Sequence, residues 1–196
     1  MSKIAMVTGA GTGVGRRVSE VLSKEGMIVY LVGRRKDKLL ETSEICSGQT
    51  ELMQCDVSDP LAVENAFKSI ENKHGRMDIL FNNAGIGVPA RSIDEMPFED
   101  WKSVVDINLN GMFLCAKYAF ALMRKQKPQG GRIINNGSVS SVTPRPGSIP
   151  YTATKHAVTG MTKTISLDGR QYDIACSQID IGNAETPMTA RMKEGV

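Results

Sequence analysis

The stretch Lys3-Ile4-Ala5-Met6-Val7-Thr8-Gly9-Ala10-Gly11-Thr12-Gly13-Val14-Gly15 sets the expectation for the fold. An apolar run over residues 4–7 leads into a glycine-rich turn, and a helical pattern follows over residues 14–25. A strand, a glycine-rich turn and a helix N-terminus together present backbone N–H groups to a phosphate. The spacing is Gly9-x-x-x-Gly13-x-Gly15, not the Gly-x-Gly-x-x-Gly dinucleotide fingerprint, because residue 14 is valine. For the glycines alone, a tight turn that needs positive φ is the alternative interpretation.

The alternation of apolar runs and helical patterns continues along the chain. Strands are predicted at 4–7, 27–32, 51–55, 78–82, 131–137 and 175–181, and helices at 14–25, 35–46, 60–73, 98–125 and 152–168. Such repetition predicts an α/β fold, a Rossmann-type doubly wound parallel sheet with helices on both faces. Ligands of these sheets bind beyond the carboxyl ends of the strands, where the motifs lie. A length of 196 residues predicts one domain over residues 1–196.

The composition argues against several classes of protein. Hydrophobic residues make up 41% of the chain, which supplies a core, and no apolar run is long enough to span a membrane. The N-terminus has no signal-peptide pattern. The four cysteines (Cys46, Cys55, Cys115 and Cys176) are scattered, and no cluster has metal-ligand spacing, which predicts reduced thiols, a cytoplasmic location and no metal site. A net charge of +3 from dispersed residues does not favour nucleic-acid binding.

The second predicted strand ends at Gly33-Arg34-Arg35. In nicotinamide-binding units the residue at the end of this strand meets the adenosine ribose, and an acidic side chain there selects the free 2′-hydroxyl. Gly33 occupies that position and offers no carboxylate, and two arginines follow it. This favours a 2′-phosphate, so NADP(H) is the preferred cofactor and NAD(H) the second choice. A solvated basic turn is the alternative.

Tyr151 and Lys155 lie four residues apart in Tyr151-Thr152-Ala153-Thr154-Lys155. One helical turn separates them, so both side chains reach the same small volume. A nearby ammonium favours the phenolate form of a phenol, and such a pair is suited to acid–base chemistry. For an isolated pair, an aromatic ring packed on a lysine stem is the alternative.

With four further motifs, the chain strongly resembles the short-chain dehydrogenase/reductase family over essentially its whole length. Thr8 to Gly15 fits the family's Thr-Gly-x-x-x-Gly-x-Gly loop, and the further motifs are Asp56-Val57, Asn82-Asn83-Ala84-Gly85, Asp106-Ile107-Asn108 and Asn136-Gly137-Ser138. The serine precedes Tyr151 by 151 − 138 = 13 residues, the family's usual spacing. Taken singly, Asp56 could be a helix N-cap, Asn82-Asn83 a turn, Asn108 a polar helix residue and Ser138 a turn former.

The resemblance implies a hydride-transferring oxidoreductase that acts on a carbonyl or secondary alcohol with NADP(H). It implies that Ser138 binds the substrate oxygen, that Tyr151 moves the proton, and that Lys155 bonds the nicotinamide ribose. Asn108 would hold, through its backbone carbonyl, a water that links Lys155 to solvent. The expected catalytic residues are Asn108, Ser138, Tyr151 and Lys155. The expected cofactor-binding residues are Thr8, Gly9, Gly11, Thr12, Gly13, Val14, Gly15, Arg34, Arg35, Asp56, Val57, Asn83, Ala84, Gly85, Tyr151, Lys155, Gly182 and Thr186.

The resemblance also assigns finer roles. Asp56 would accept from the adenine amino group, Asn83 would hold strand ends together, and Ala84-Gly85 would lie against the adenosine. The helices that carry Asn108 and Tyr151 imply a homodimer or homotetramer. Residues 86–92, residues 139–149 and the segment after Met188 are the expected substrate walls. The rival function is a catalytically silent nucleotide-binding regulatory or scaffold protein of the same fold.

The sequence departs from the family pattern at two places. The family's Pro-Gly-x-x-x-Thr is here Ile181-Gly182-Asn183-Ala184-Glu185-Thr186, which frees φ at residue 181 and adds an N–H. Family members also continue through a further helical segment and a seventh strand, whereas this sequence stops at Val196. We therefore expect the seventh strand to be missing and the sequence to be incomplete.

Overall fold

A computed structural model describes residues 2–186 and 189–190. Within these residues, six strands form one parallel sheet in the order β3-β2-β1-β4-β5-β6. The strands are β1 (Ile4–Thr8), β2 (Ile28–Gly33), β3 (Thr50–Gln54), β4 (Ile79–Asn82), β5 (Gly131–Asn136) and β6 (Ile174–Ile179). The helices are α1 (Gly13–Lys24), α2 (Lys36–Ile45), α3 (Pro60–His74), α4 (Phe98–Val105), α5 (Met112–Lys125) and α6 (Ile149–Gly169). The predicted Rossmann-type parallel sheet is confirmed.

The two faces of the sheet carry separate apolar cores. Along β1, Ile4 and Met6 face one core while Ala5 and Val7 face the other, because side chains alternate along a strand. All of β1 is buried, as expected for a parallel strand covered on both faces. The central position of β1 therefore places the glycine-rich turn that follows it at the middle of the sheet edge.

The strand order reverses between β1 and β4. From β1 the chain builds outward to β2 and β3, then crosses to β4 on the other side of β1. The two loops that leave the carboxyl ends of β1 and β4 therefore diverge. In open α/β sheets this switch point is where a crevice opens and ligands bind.

The predicted helix over residues 98–125 is not uniform. Residues Asp106–Gly111, between α4 and α5, form a π-helical segment that contains Asn108. A π segment widens the backbone turn and often lies at a functional site. The apolar periodicity does not reveal it, because α4 and α5 continue on either side.

Other boundaries differ from the prediction by a few residues. Helix α6 begins at Ile149 with Pro150 in its first turn, where a proline needs no N–H partner. Strand β6 ends at Ile179 rather than at residue 181, because its partner β5 ends at Asn136, opposite Ile179. Three short 3-10 turns, Ile93–Glu95, Val139–Ser141 and Arg170–Tyr172, were not predicted. Among the described helices, none combines the length and the apolar character of a membrane span.

Candidate active site

A cleft of about 520 Å³ lies beyond the carboxyl ends of the strands. It runs from the turn after β2, past the glycine loop, to the first turns of α6. The predicted site residues that line it are Gly9, Gly11, Thr12, Gly13, Val14, Arg34, Arg35, Asp56, Val57, Asn83, Ala84, Gly85, Tyr151, Lys155 and Thr186. The predicted residues Thr8, Gly15, Asn108, Ser138 and Gly182 are not among its lining residues. The structure therefore places most of the predicted cofactor set in one cleft.

The glycine loop needs its glycines for two reasons. Gly9 and Gly13 have φ of 66° and 55°, in the left-handed region that other residues avoid. A Cβ on Gly15 would overlap the carbonyl oxygen of Gly9 and lie 2.7 Å from Asn83 Nδ2. Helix α1 begins here, and its N-cap Thr12 makes no side-chain hydrogen bond to the first turn. The N–H groups of that turn are thus left for an anion, the arrangement that binds a pyrophosphate.

The underside of the loop is held by residues that were not predicted from the sequence. Arg16 donates to the carbonyl oxygen of Gly11 at 2.7 Å and to Glu41 Oε2 at 2.8 Å. Lys38 also pairs with Glu41 and lines the cleft. Hydrogen bonds from Lys38 and Arg16 lower the pKa of the Glu41 carboxyl. Lys38 continues the basic run that begins at Arg34, one turn into α2, and that continuation is the signal that could have identified it.

The far end of the cleft combines a carboxylate with basic side chains. Arg34 Nη1 lies 3.7 Å from Asp56 Oδ2. Asp56 Oδ1 accepts from the backbone N–H and the hydroxyl of Ser58, at 3.0 and 2.7 Å. Partial burial opposes its charge, but the bonds from Ser58 and the charge of Arg34 lower the pKa of Asp56 below its ordinary value. The N-cap of α3 is Asp59, not Asp56, so the plain alternative for Asp56 does not hold.

Thr8 and Asn83 tie the strand ends together beneath the cleft. The hydroxyl oxygen of Thr8 accepts from the N–H groups of Asn83 and Ala84 at 2.8 and 2.9 Å. The amide of Asn83 donates to the Thr8 carbonyl oxygen at 2.9 Å and accepts from the Asn136 side chain at 2.7 Å. Asn83 therefore links β1, β4 and β5, the role that the family resemblance implied. Thr8 supports the floor and is not itself a lining residue.

Lys155 is a buried cation at the inner end of the cleft. Its side chain points past the ring of Tyr151, with Nζ 5.5 Å from the ring centroid, and donates to the Asn136 carbonyl oxygen at 2.6 Å. Burial lowers the pKa of Lys155 to about 8, while the negative charge of Asp180 acts in the opposite direction. The ammonium form therefore still predominates at neutral pH. Tyr151 lies in the first turn of α6 and lines the same cleft.

Asn108 lies outside the cleft and supports one of its walls. Its side-chain oxygen accepts from the Ile86 N–H at 2.8 Å, and its amide donates to the Ile86 carbonyl oxygen at 2.9 Å. The residue is fully buried within the π segment. The Asn108 side chain therefore holds the loop at Ile86 through two hydrogen bonds.

Ser138 begins the 3-10 turn Val139–Ser141 after β5. Its hydroxyl oxygen accepts from the Ser140 N–H at 3.1 Å, so it caps the turn as the plainer interpretation expected. A hydroxyl that accepts one hydrogen bond retains its own proton for donation. The backbone N–H of Ser138 donates to Asp180 Oδ1 at 2.9 Å. Asp180 was not predicted from the sequence, although an acidic residue directly after an apolar strand is a visible signal.

The segment after β6 reaches the cleft through Thr186. This residue forms a local turn in which its N–H donates to Thr189 Oγ1 at 3.0 Å. Gly182 is exposed, and a Cβ added there would find only Val139 Cγ2, at 3.9 Å, so the described neighbours do not require glycine. Residues 187–188 and 191–196 lie outside the described residues. The substrate wall expected after Met188 therefore remains a prediction.

Comparisons with known proteins agree with this geometry. A family model described as short chain dehydrogenase matches residues 3–196. The 3beta-hydroxysteroid dehydrogenase of Mediterraneibacter gnavus is 38% identical over 96% of this chain and 68% of the relative. The meso-2,3-butanediol dehydrogenase of Serratia marcescens is 34% identical over 96% of this chain and 74% of the relative. The crystal structure of 3-ketoacyl-(acyl-carrier-protein) reductase from Brucella melitensis complexed with NADH matches with a TM-score of 0.90 at 28% identity, covering 95% of this chain and 77% of that one.

Proposed function

Because the chain belongs to the short-chain dehydrogenase family, and so is an NAD(P)-dependent oxidoreductase acting on CH–OH donors, we propose that it interconverts a carbonyl and a secondary alcohol with NADP(H). The observation that carries the proposal is that Tyr151 and Lys155 line the same cleft as the glycine loop. A nucleotide held on that loop would extend toward these two side chains. Cytoplasmic location, homodimeric or homotetrameric assembly, and one domain over residues 1–196 belong to the same proposal.

The residues of the cleft fit a dinucleotide. The first turn of α1 and the close approach of Gly9 and Gly15 suit a pyrophosphate, since the side chain of the N-cap residue Thr12 makes no hydrogen bond to the N–H groups of that turn. Asn136 Oδ1 is buried and has no hydrogen-bond partner among the described residues, and Asn136 lines the cleft together with Asn83 and Lys155. A ribose hydroxyl is the kind of donor that would satisfy it. When bound, the nicotinamide supplies or accepts the hydride.

The protein groups divide the remaining work. Tyr151 gives or takes the proton of the substrate oxygen, and Ser138 holds that oxygen by a hydrogen bond. Lys155, whose Nζ lies 5.5 Å from the centre of the Tyr151 ring, places its ammonium beside the proton donor and bonds the ribose. Asn108 holds the loop at Ile86 and offers its backbone carbonyl to a water. These groups act by position and charge. Tyr151 and Lys155 line the cleft, and Asn108 contacts it through the lining residue Ile86.

The preference for NADP(H) rests on charge. Arg34, Arg35 and Lys38 all line the cleft near the end of β2, where Gly33 provides no carboxylate for a free 2′-hydroxyl. Arginine binds a phosphate through paired N–H groups, so this cluster favours a 2′-phosphate. One structural neighbour holds NADH, so family membership alone does not fix the choice.

The proposal is tested with the full-length protein, NADPH and a panel of ketones, followed by absorbance at about 340 nm, where reduced nicotinamide absorbs. The panel includes a cyclic steroid ketone, an acyclic hydroxyketone and a 3-ketoacyl thioester, the chemistries named for the relatives. Turnover of any of them supports the proposal. Cofactor binding without turnover across the panel would favour the catalytically silent alternative.

A further inference from the structure

One carboxylate oxygen of Asp180 accepts hydrogen bonds from three donors, one of which is the backbone N–H of Ser138. Asp180 Oδ1 accepts from the Ser138 backbone N–H at 2.9 Å, from Ser141 Oγ at 2.9 Å and from Gln178 Nε2 at 2.7 Å. Hydrogen bonds to an ionised carboxylate are about twice as strong as neutral ones. The turn that starts at Ser138 is therefore fixed to the strand end of β6 by charge-assisted bonds.

The backbone directly after β5 leaves room for this carboxylate. A Cβ on Gly137 would overlap Asp180 Oδ1 and lie 2.8 Å from Gln178 Nε2. Gly137 is not among the glycines with positive φ, so the need for glycine here is steric and not conformational. Gly137 and Asp180 thus fit one another.

Gln178 connects the carboxylate to helix α6. Its amide also donates to Thr159 Oγ1 at 3.0 Å, and its carbonyl oxygen accepts from Thr162 Oγ1 at 3.4 Å. Thr159 lies one turn after Lys155 on the same helix. A continuous hydrogen-bonded path therefore runs from the Ser138 turn, through Asp180 and Gln178, to the helix that carries Tyr151 and Lys155.

The carboxylate is charged at neutral pH. Partial burial opposes the charge, but the bonds from Gln178, Ser141 and Ser138 and the charge of Lys155 lower the pKa of Asp180 below its ordinary value. Lys155 on α6 is the charged group among the described residues that acts on it. On the neighbouring loop, Arg145 donates to Asn183 at 2.6 Å.

We propose that Asp180 is a positioning residue of the reaction, one that fixes the backbone of Ser138 relative to the helix carrying Tyr151 and Lys155. The inference rests on the proposed function. A serine hydroxyl that binds the substrate oxygen is useful only at the right distance from the proton donor, and a displacement of about 1 Å can cost about 100-fold in rate. Asp180 acts through Ser138 and does not itself touch the substrate in this scheme.

The test compares Asp180→Ala and Asp180→Asn with Asp168→Asn as the matched control. Asp168 is exposed on α6, 168 − 155 = 13 residues after Lys155, and so about 20 Å from it along the helix. In Asp180→Ala we expect kcat for ketone reduction to fall about 10- to 100-fold, while the Kd of NADPH stays within about twofold. In Asp180→Asn the amide oxygen can still accept, so we expect more of kcat to be retained.

Two readouts separate positioning from general destabilisation. Loss of the negative charge should move the alkaline fall of kcat/KM in Asp180→Asn to lower pH, because Lys155 then gives up its proton more readily. Amide hydrogen exchange at Ser138 should become faster in Asp180→Ala and stay at the wild-type rate in the Asp168→Asn control. If Asp180→Ala does not fold, Asp180→Asn decides by the same two readouts.

The outcomes are distinguishable. Wild-type activity together with an Asp180→Ala kcat within about twofold of it would overturn the positioning role and leave the proposed function intact. A lower kcat with unchanged exchange at Ser138 would also overturn it. If the wild-type protein shows no turnover, the proposed function fails, and exchange at Ser138 alone decides whether Asp180 fixes that backbone.

Discussion

The ammonium of Lys155 lies 2.6 Å from the carbonyl oxygen of Asn136, and the lysine is only 5% exposed. An amine held in so little water is easier to deprotonate than a free one, which is why its pKa is lowered to about 8. The cleft thus keeps a cation near Tyr151 whose charge is sensitive to mild alkali.

The pH dependence of catalysis follows from Lys155. Below pH 8 the ammonium is present, and it is lost as the pH rises through about 8. We expect kcat/KM for ketone reduction, which reports the free enzyme, to be level near neutrality and to fall above about pH 8. The measurement is a profile of kcat/KM against pH at constant ionic strength, with a check at each pH that the protein remains folded. A level profile through pH 10 would mean that the charge of Lys155 is not used.

Burial of Lys155 should cost stability. Between pH 8 and 10.5 the Lys155 amine is protonated in the unfolded chain but neutral in the folded chain. The loss of folding stability caused by burying the charge is therefore largest below pH 8 and becomes smaller as the pH rises from 8 to 10.5. Lys155→Met should therefore raise the free energy of unfolding at pH 7 by about 2 kcal/mol, allowing for the lost hydrogen bond. Urea unfolding at pH 7 and near pH 9.5 measures it. A variant that is less stable than wild type at pH 7 would contradict the expectation.

Cofactor choice is tested at Arg34. Arg34→Ala should weaken NADPH binding by about tenfold while NADH binding changes by less than about twofold, because the 2′-phosphate alone loses a partner. Arg17→Ala is the control, since Arg17 is exposed on α1 and pairs only with Glu20 among the described contacts. Kd values come from nicotinamide fluorescence titrations. Equal losses for both nucleotides would show that Arg34 does not meet the 2′-phosphate.

The glycine loop makes a prediction about packing. Gly15→Ala pushes a methyl group into the Gly9 carbonyl and Asn83, so we expect a loss of about 1–3 kcal/mol of stability and weaker NADPH binding. Gly160→Ala on α6 is the matched control, because a Cβ there meets no atom within 4 Å. Its helix propensity should raise stability by up to about 1 kcal/mol. Thermal and urea unfolding compare the two. Equal effects would refute the close approach at Gly15.

Much of the fold was predictable because it depends on local pattern. The glycine loop, the apolar strands and the Tyr151–Lys155 spacing lie within short stretches, and the parallel topology brings their ends together. Asp180 and Arg16 were missed because their partners, Ser138 and Glu41, are distant in sequence. The π segment was missed because the apolar periodicity continues on both sides of it. Contacts between separate loops are a property of the folded chain and leave no periodic trace.

The central claim is that the Tyr151 hydroxyl moves the proton, and that nucleotide binding in the cleft does not depend on that hydroxyl. The most direct test is Tyr151→Phe, measured for both kcat and the Kd of NADPH on the full-length protein. We predict that turnover falls by at least about 1,000-fold, since a positioned acid or base contributes about 100- to 10,000-fold, while the Kd stays within about threefold. A phenylalanine variant with wild-type turnover would contradict the account.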